Sequence, residues 1–180
     1  MTILHIDSSV HGAQSISRQL TAAVVAKLTA RNNEQVIYRD LSIEAPEATG
    51  ACVDEFLASG TIVIGAPMYN LGVPSRLKDW IDAIVVKGKT FRASSEGLQG
   101  LAGGRQVLVA YASGGFHRGP EEDFVEPYLR AVFRILGITE VDVVRAEGMD
   151  MSADHRARSL AQAERTIAEI TKRIVNERRR

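Results

Sequence analysis

Cysteine is almost absent from this chain. Of 180 residues one is Cys, Cys52, so no disulfide can close within the chain, and the cytoplasm is the expected compartment. An excess of either charge is also missing, with 22 Lys and Arg against 22 Asp and Glu. That balance argues against a nucleic-acid binder, which carries a basic footprint, and against a strongly acidic electron carrier. No apolar run approaches the roughly 20 residues that a bilayer-spanning helix needs. Met1–Asp7 has neither a charged leader nor a long apolar stretch, so neither a membrane nor a secretory signal is expected. No His, Cys, Asp and Glu cluster has metal-ligand spacing. Internal repeats, linkers and low-complexity tracts are lacking too. Residues 1–180 therefore read as a single domain, 45% apolar and large enough to bury a core.

What is present is an alternation of two periods. Ile3–Ile6, Gln35–Tyr38, Thr61–Ala66, Val107–Ala110 and Val141–Val144 are short apolar, β-branched runs that read as strands. The Thr61–Ala66 run lacks alternation, which suggests a sheet covered on both faces. Between the strands lie helical stripes. Ser15 caps a helix whose apolar residues are Ile16, Leu20, Val24 and Leu28. A short helix is expected over 51–58. Another has Pro74 in its first turn, with Leu77, Trp80, Ile81 and Ile84 inward, and one runs over about 126–136 with Gly137 past its end. The last spans about 154–176, with Leu160, Ile167, Ile170 and Ile174 inward, and the basic tail Arg178-Arg179-Arg180 is expected to be solvated. Strand–helix alternation implies an α/β fold with a five-stranded parallel sheet, right-handed crossovers and the expected order 2-1-3-4-5.

In such a sheet, ligands bind beyond the carboxyl ends of the strands. Three loops there are unusual. The first, Asp7-Ser8-Ser9-Val10-His11-Gly12-Ala13-Gln14-Ser15-Ile16-Ser17-Arg18, is rich in hydroxyls and opens into a helix N-terminus, an anion site that suits a phosphate monoester. It is neither a P-loop nor a G-x-G-x-x-G fingerprint, and Ser15 and Ser17 could instead be caps and nothing more. The second, Ala66-Pro67-Met68-Tyr69-Asn70-Leu71-Gly72-Val73-Pro74, offers Met68 and Tyr69 to a flat ring and Asn70 to ring heteroatoms, or else is a rigid turn. The third, Ala112-Ser113-Gly114-Gly115-Phe116-His117-Arg118-Gly119-Pro120, has paired glycines that let backbone N–H groups approach a ligand, or is simply a flexible turn. Tyr111 and Phe116 are either pocket or core. Cys52 reads as packing rather than redox chemistry.

At these loops the chain resembles the FMN-dependent NADH-azoreductase family, relatives of the flavodoxin-like quinone reductases. The matching text is Ser9 with Ser15-Ile16-Ser17, then Pro67-Met68-Tyr69-Asn70, then Ser113-Gly114-Gly115 with Phe116-His117. Leu77-Lys78-Asp79-Trp80-Ile81-Asp82, Lys89-Thr90-Phe91-Arg92, Gly97-Leu98 and Ala146-Glu147-Gly148 extend the match over nearly the whole chain. It departs from the family in a short connection between Asp40 and Thr61, in Leu71 where the family usually has Phe, and in a hydroxyl at Ser113 that many members place one position earlier.

The resemblance implies a flavodoxin-like three-layer sandwich holding FMN. It places the phosphate on Ser9, Ser15, Ile16 and Ser17, and the ring along Pro67, Met68, Tyr69, Asn70 and Leu71. Ala112, Ser113, Gly114 and Gly115 would meet the pyrimidine end. It implies NADH or NADPH as donor, a quinone or azo compound as the small aromatic acceptor, ping-pong turnover and a homodimer with shared sites. His117 and Asn70 are the candidate catalytic residues, although His117 could equally be a surface histidine. The rival readings are a non-enzymatic flavodoxin-like electron carrier and a flavin reductase with another acceptor.

Overall fold

The computed structural model describes residues 1–30, 34–46, 50–95, 97–117, 119 and 121–178. Thr61–Pro67, here β3, is buried at every position, because a strand flanks it on each side and helices cover both faces. Its neighbours are β1 (Thr2–Asp7) and β6 (Gln106–Ala112), both parallel to it. Outside them lie β2 (Gln35–Asp40) and β7 (Val141–Ala146), so the sheet runs β2-β1-β3-β6-β7. The remaining strands, β4 (Phe91–Ser94) and β5 (Gly97–Gly100), pair antiparallel in a separate hairpin. With the hairpin set aside, the order is the expected 2-1-3-4-5. Sequence patterning did not show the hairpin, because its two strands are short, largely exposed and without apolar alternation.

Alternate residues of each central strand feed two cores. Val107, Val109 and Tyr111 of β6 face α2 (Ala51–Ala58), α3 (Ser75–Ile84) and α4 (Val125–Ile135). Leu108, Ala110 and Ala112 face α1 (Ile16–Thr29) and α5 (Ala153–Glu177). The result is three layers, helices–sheet–helices. Leu20, Val24 and Leu28 of α1 and Ile167 and Ile174 of α5 are buried on one side, and Leu77, Trp80, Ile81 and Ile84 of α3 on the other. Each such side chain contributes roughly 1.5–3 kcal/mol on burial. Pro74 stands at the cap position before α3 rather than inside its first turn.

The basic tail departs from expectation. Arg178 is not solvated: its guanidinium donates to Glu34 Oε1 at 3.2 Å and to the Thr61 hydroxyl, so it ties the end of α5 to the amino edge of the sheet. Arg179 and Arg180 lie outside the described residues. Among the described residues no helix is long and apolar enough to cross a membrane.

Candidate functional site

Strand register brings four strand ends level. Asp7 stands opposite Gly65, Pro67 opposite Ala112, and Ala112 opposite Ala146. The Met68 N–H donates to the Ala112 carbonyl at 2.8 Å and the Ser113 N–H to the Ala146 carbonyl at 3.0 Å. The loops that follow β1, β3, β6 and β7 therefore leave the sheet side by side. They enclose an open cleft of about 450 Å³, within the range of small-ligand sites.

The first loop makes a short 3₁₀ turn, Gly12–Gln14, and then enters α1. Ser15 does cap that helix, its Oγ accepting from the Arg18 N–H at 3.3 Å, and it lines the cleft while doing so. Its hydroxyl also meets Ser17 Oγ at 3.0 Å. Three buried hydroxyls, Ser9, Ser15 and Ser17, thus gather at the positive end of α1, whose first turn holds no acidic residue.

The second loop is a tight reversal. Tyr69 and Gly72 exchange backbone hydrogen bonds of 2.9 and 3.0 Å, and the two residues between them have positive φ, 50° at Asn70 and 67° at Leu71. Such a pair is the signature of a type I′ turn. For leucine it costs on the order of 1–2 kcal/mol, yet this side chain is also 45% exposed. Tyr69 is held by the Ser9 hydroxyl at 2.9 Å and by the His11 ring, edge-on with centroids 5.7 Å apart. Tyr111, left open between pocket and core, is fully buried. Its hydroxyl donates to Met68 Sδ at 3.7 Å, the Arg145 guanidinium lies 4.6 Å from its ring centre, and burial pushes its phenol pKa up. Phe116 is partly exposed and meets the His155 ring edge-on at 5.7 Å.

The third loop is laced to the one after β7. Gly148, Met149 and Asp150 N–H groups donate to the carbonyls of Gly115, Ser113 and Gly114 at 3.0, 3.1 and 3.0 Å. A Cβ on Gly114 would run into the Asp150 carboxylate. A side chain there would have to displace that carboxylate, and the bare Cα also suits a ligand's approach. Ser113 Oγ donates to the Gly115 carbonyl at 2.8 Å. His117 is half-buried, with its backbone N–H on Glu147 Oε1 at 3.2 Å. Arg118 and Pro120 lie outside the described residues.

Ser9, Ser15, Ile16 and Ser17 line the cleft from the first loop, Pro67, Met68 and Tyr69 from the second, and Ala112, Ser113 and Gly114 from the third. Asn70, Leu71, Gly115 and His117 are not among the lining residues, although Asn70 directly follows Tyr69 and Gly115 directly follows Gly114 in the chain. Sequence reasoning missed five lining residues: His11, Gln14, Met149, Asp150 and Arg156. His11 and Gln14 stood in the first loop unassigned. Met149 and Asp150 directly follow the Ala146-Glu147-Gly148 match. Arg156, in the first turn of α5, carried no local signal.

Under the first loop lies a charged cluster. Asp7 is buried and accepts from the Thr21 hydroxyl at 2.8 Å and from Tyr38 Oη at 3.2 Å, with His5 Nε2 at 3.5 Å and Arg18 at 3.8 Å. Burial alone would push its pKa up. The neighbouring His5, the Thr21 hydroxyl and the Arg18 charge outweigh burial and hold the carboxyl below its ordinary value. His5 Nε2 is buried and makes no other hydrogen bond, so the Asp7 carboxylate is its near neighbour.

A second cavity, of about 280 Å³, lies between Asp40, Cys52 and Trp80. It borders the short connection and has neither the hydroxyls nor the α1 terminus of the first. Cys52 is half-buried there and packs against the core.

Residues 1–170 match a sequence model for the flavodoxin-like fold. A protein of Sinorhizobium fredii named FMN-dependent NADH:quinone oxidoreductase is 46% identical over 198 residues, covering 94% of this chain and 96% of that protein. One of the same name from Xanthomonas oryzae pv. oryzae is 46% identical over 180 residues, covering 91% and 93%. The first alignment is longer than the 180-residue chain, so that relative carries residues this chain lacks. A solved FMN-dependent NADH-azoreductase from Bacillus anthracis, in complex with FMN, superimposes with a TM-score of 0.86 over 97% of this chain and 99% of that one; at 24% identity it speaks for the fold alone. On these matches and on its sheet order, the chain belongs to the flavodoxin-like fold family and, within it, to the FMN-dependent NADH:quinone oxidoreductases.

Proposed function

We propose that this chain is an FMN-dependent NAD(P)H oxidoreductase acting on quinones and aromatic azo compounds. One observation carries the reading. A single cleft joins a hydroxyl-lined helix start, suited to a phosphate, to a wall of Met68 and Tyr69, suited to a flat ring. The names of the two relatives at 46% identity point the same way.

The residues fit the cofactor. The Ser9, Ser15 and Ser17 hydroxyls and the Ile16 N–H would hold the phosphate. Pro67, Met68 and Tyr69 would support the ring, with Asn70 and Leu71 at its exposed side. At the pyrimidine end, beside Ala112, the Ser113 N–H is already committed to Ala146. Donors there fall to the Gly114 and Gly115 N–H groups, preorganised where negative charge develops. The chemistry FMN supplies when bound is two-electron transfer, from NADH or NADPH to the acceptor.

One open cleft for donor and acceptor implies their use in turn, hence ping-pong kinetics. His117 and Asn70 are the candidates to orient the acceptor, with the imidazole as its proton donor. Val10, Leu71, Phe116 and Met151 put exposed apolar surface on the same four loops. That rim supports a homodimer in which each cleft is completed by the partner. A single thiol in 180 residues supports a cytoplasmic location.

The test is the absorbance spectrum of purified protein, followed by anaerobic NADH and then a quinone. A flavin spectrum that bleaches and recovers supports the reading; protein that takes up no FMN overturns it. Initial rates giving intersecting rather than parallel double-reciprocal lines would overturn the ping-pong order. Sedimentation as a monomer at micromolar concentration would overturn the dimer.

A further inference from the structure

A cation in the first turn of a helix opposes the helix dipole. Arg18 is such a cation: it is the third residue of α1, and its side chain is 12% exposed. Its guanidinium turns back under the first loop. There Nη2 and Nε donate to the Ser9 carbonyl at 2.7 and 3.3 Å. Nη1 and Nη2 grip both oxygens of Asp40 at 2.6 Å each. The Tyr38 hydroxyl at 3.1 Å and the Ser42 hydroxyl at 2.9 Å complete the set. The fork therefore joins the serine loop to the end of β2 and to the start of the short connection. A lysine ammonium is a point charge without the planar fork that meets both Asp40 oxygens side by side.

These contacts have a consequence for the cleft. A trans peptide points its carbonyl and its N–H in opposite directions, and the described peptides are all trans. With the Ser9 carbonyl drawn to Arg18, the Val10 N–H is turned the other way. Ser9 Oγ meanwhile accepts from the His11 N–H at 3.2 Å and meets Tyr69 Oη at 2.9 Å. We propose that Arg18 is a positioning residue for the cofactor's phosphate: by fixing the Ser9 carbonyl it sets the Ser9–Val10 peptide and the Ser9 hydroxyl as donors to the anion. Asp40 in turn holds Arg18 in place. This rests on the FMN reading above.

FMN and riboflavin differ by the phosphate, so their affinity ratio reads the phosphate site and a general loss of packing does not change it. The experiment is titration of the apoprotein with each flavin, by quenching of flavin fluorescence, in wild type, Arg18→Gln, Arg18→Lys and Asp40→Asn. Wild type should prefer FMN. Arg18→Gln should weaken FMN by about ten- to a hundredfold, the size of one or two charge-assisted contacts, with riboflavin affinity unchanged. Arg18→Lys should fall between the two. Asp40→Asn, which keeps Arg18 but loosens it and guards against an Arg18 variant that does not fold, should lower the ratio by about threefold. FMN preference retained in all three variants, or equal losses for both flavins, would overturn the inference while leaving the functional reading standing. Wild-type protein that binds neither flavin would overturn both.

Discussion

The Ser9 hydroxyl meets the Tyr69 phenol at 2.9 Å, sixty positions apart in the chain. That contact locks the phosphate-suited loop to the ring-suited loop. It exists because β1 and β3 are neighbours in parallel register, so their carboxyl ends leave the sheet together.

Tyr69→Phe should keep the ring and lose the tie. The expected cost to FMN affinity is about three- to tenfold, the net worth of one neutral hydrogen bond. Thermal stability should change little, since Tyr69 is only half-buried. Flavin fluorescence titration together with a melting curve checks both parts, and an unchanged Kd would show that the loops hold their places independently.

Leu71 is strained and exposed at once. Leu71→Gly should relieve the turn and raise Tm by about 2–4 °C, because roughly 1 kcal/mol is recovered and a domain of this size melts with that sensitivity. The acceptor's KM should rise as apolar surface beside the cleft is lost. A fall in Tm would count against the strain argument, and an unchanged KM against the role at the cleft.

Asp7 carries a pH signature. Its folded-state pKa is lower than its unfolded value. Its contribution to stability is therefore complete above the ordinary carboxylate range and lost as pH falls through the lower, folded value. Asp7→Asn should destabilise by about 1–3 kcal/mol near neutrality. The gap between the two proteins should close below about pH 4. Urea melts across a pH series measure this; a gap that stayed constant into acid would refute the charge argument.

The hairpin docks by close backbone approach. A Cβ on Gly100 would overlap the backbone at Leu136 and Gly137, just past α4. Gly100→Ala has no flexible side chain to displace and should destabilise by about 1–3 kcal/mol or more. Gly114→Ala meets only the mobile end of the exposed Asp150 side chain and should cost less. Side-by-side denaturation of the two variants decides it, and equal losses would contradict the ranking.

Periodicity alone established the five parallel strands, the helices between them and the inward faces of α1, α3 and α5. Burial rewards a fixed spacing of apolar residues, and that spacing is written in the chain. Local chemistry established the unusual loops as well: Ser15 is a cap because a helix start needs an acceptor there. Tertiary structure decided everything that depends on distant neighbours. It placed Tyr111 in the core beneath Arg145, bound Arg178 to Glu34 and Thr61, and assigned Gly114's missing Cβ to Asp150. It also brought Arg156 to the cleft and the β4–β5 hairpin against α4. Those outcomes follow from strand order and from contacts across long stretches of chain, where the free energy belongs to a pair of residues and neither one announces the other.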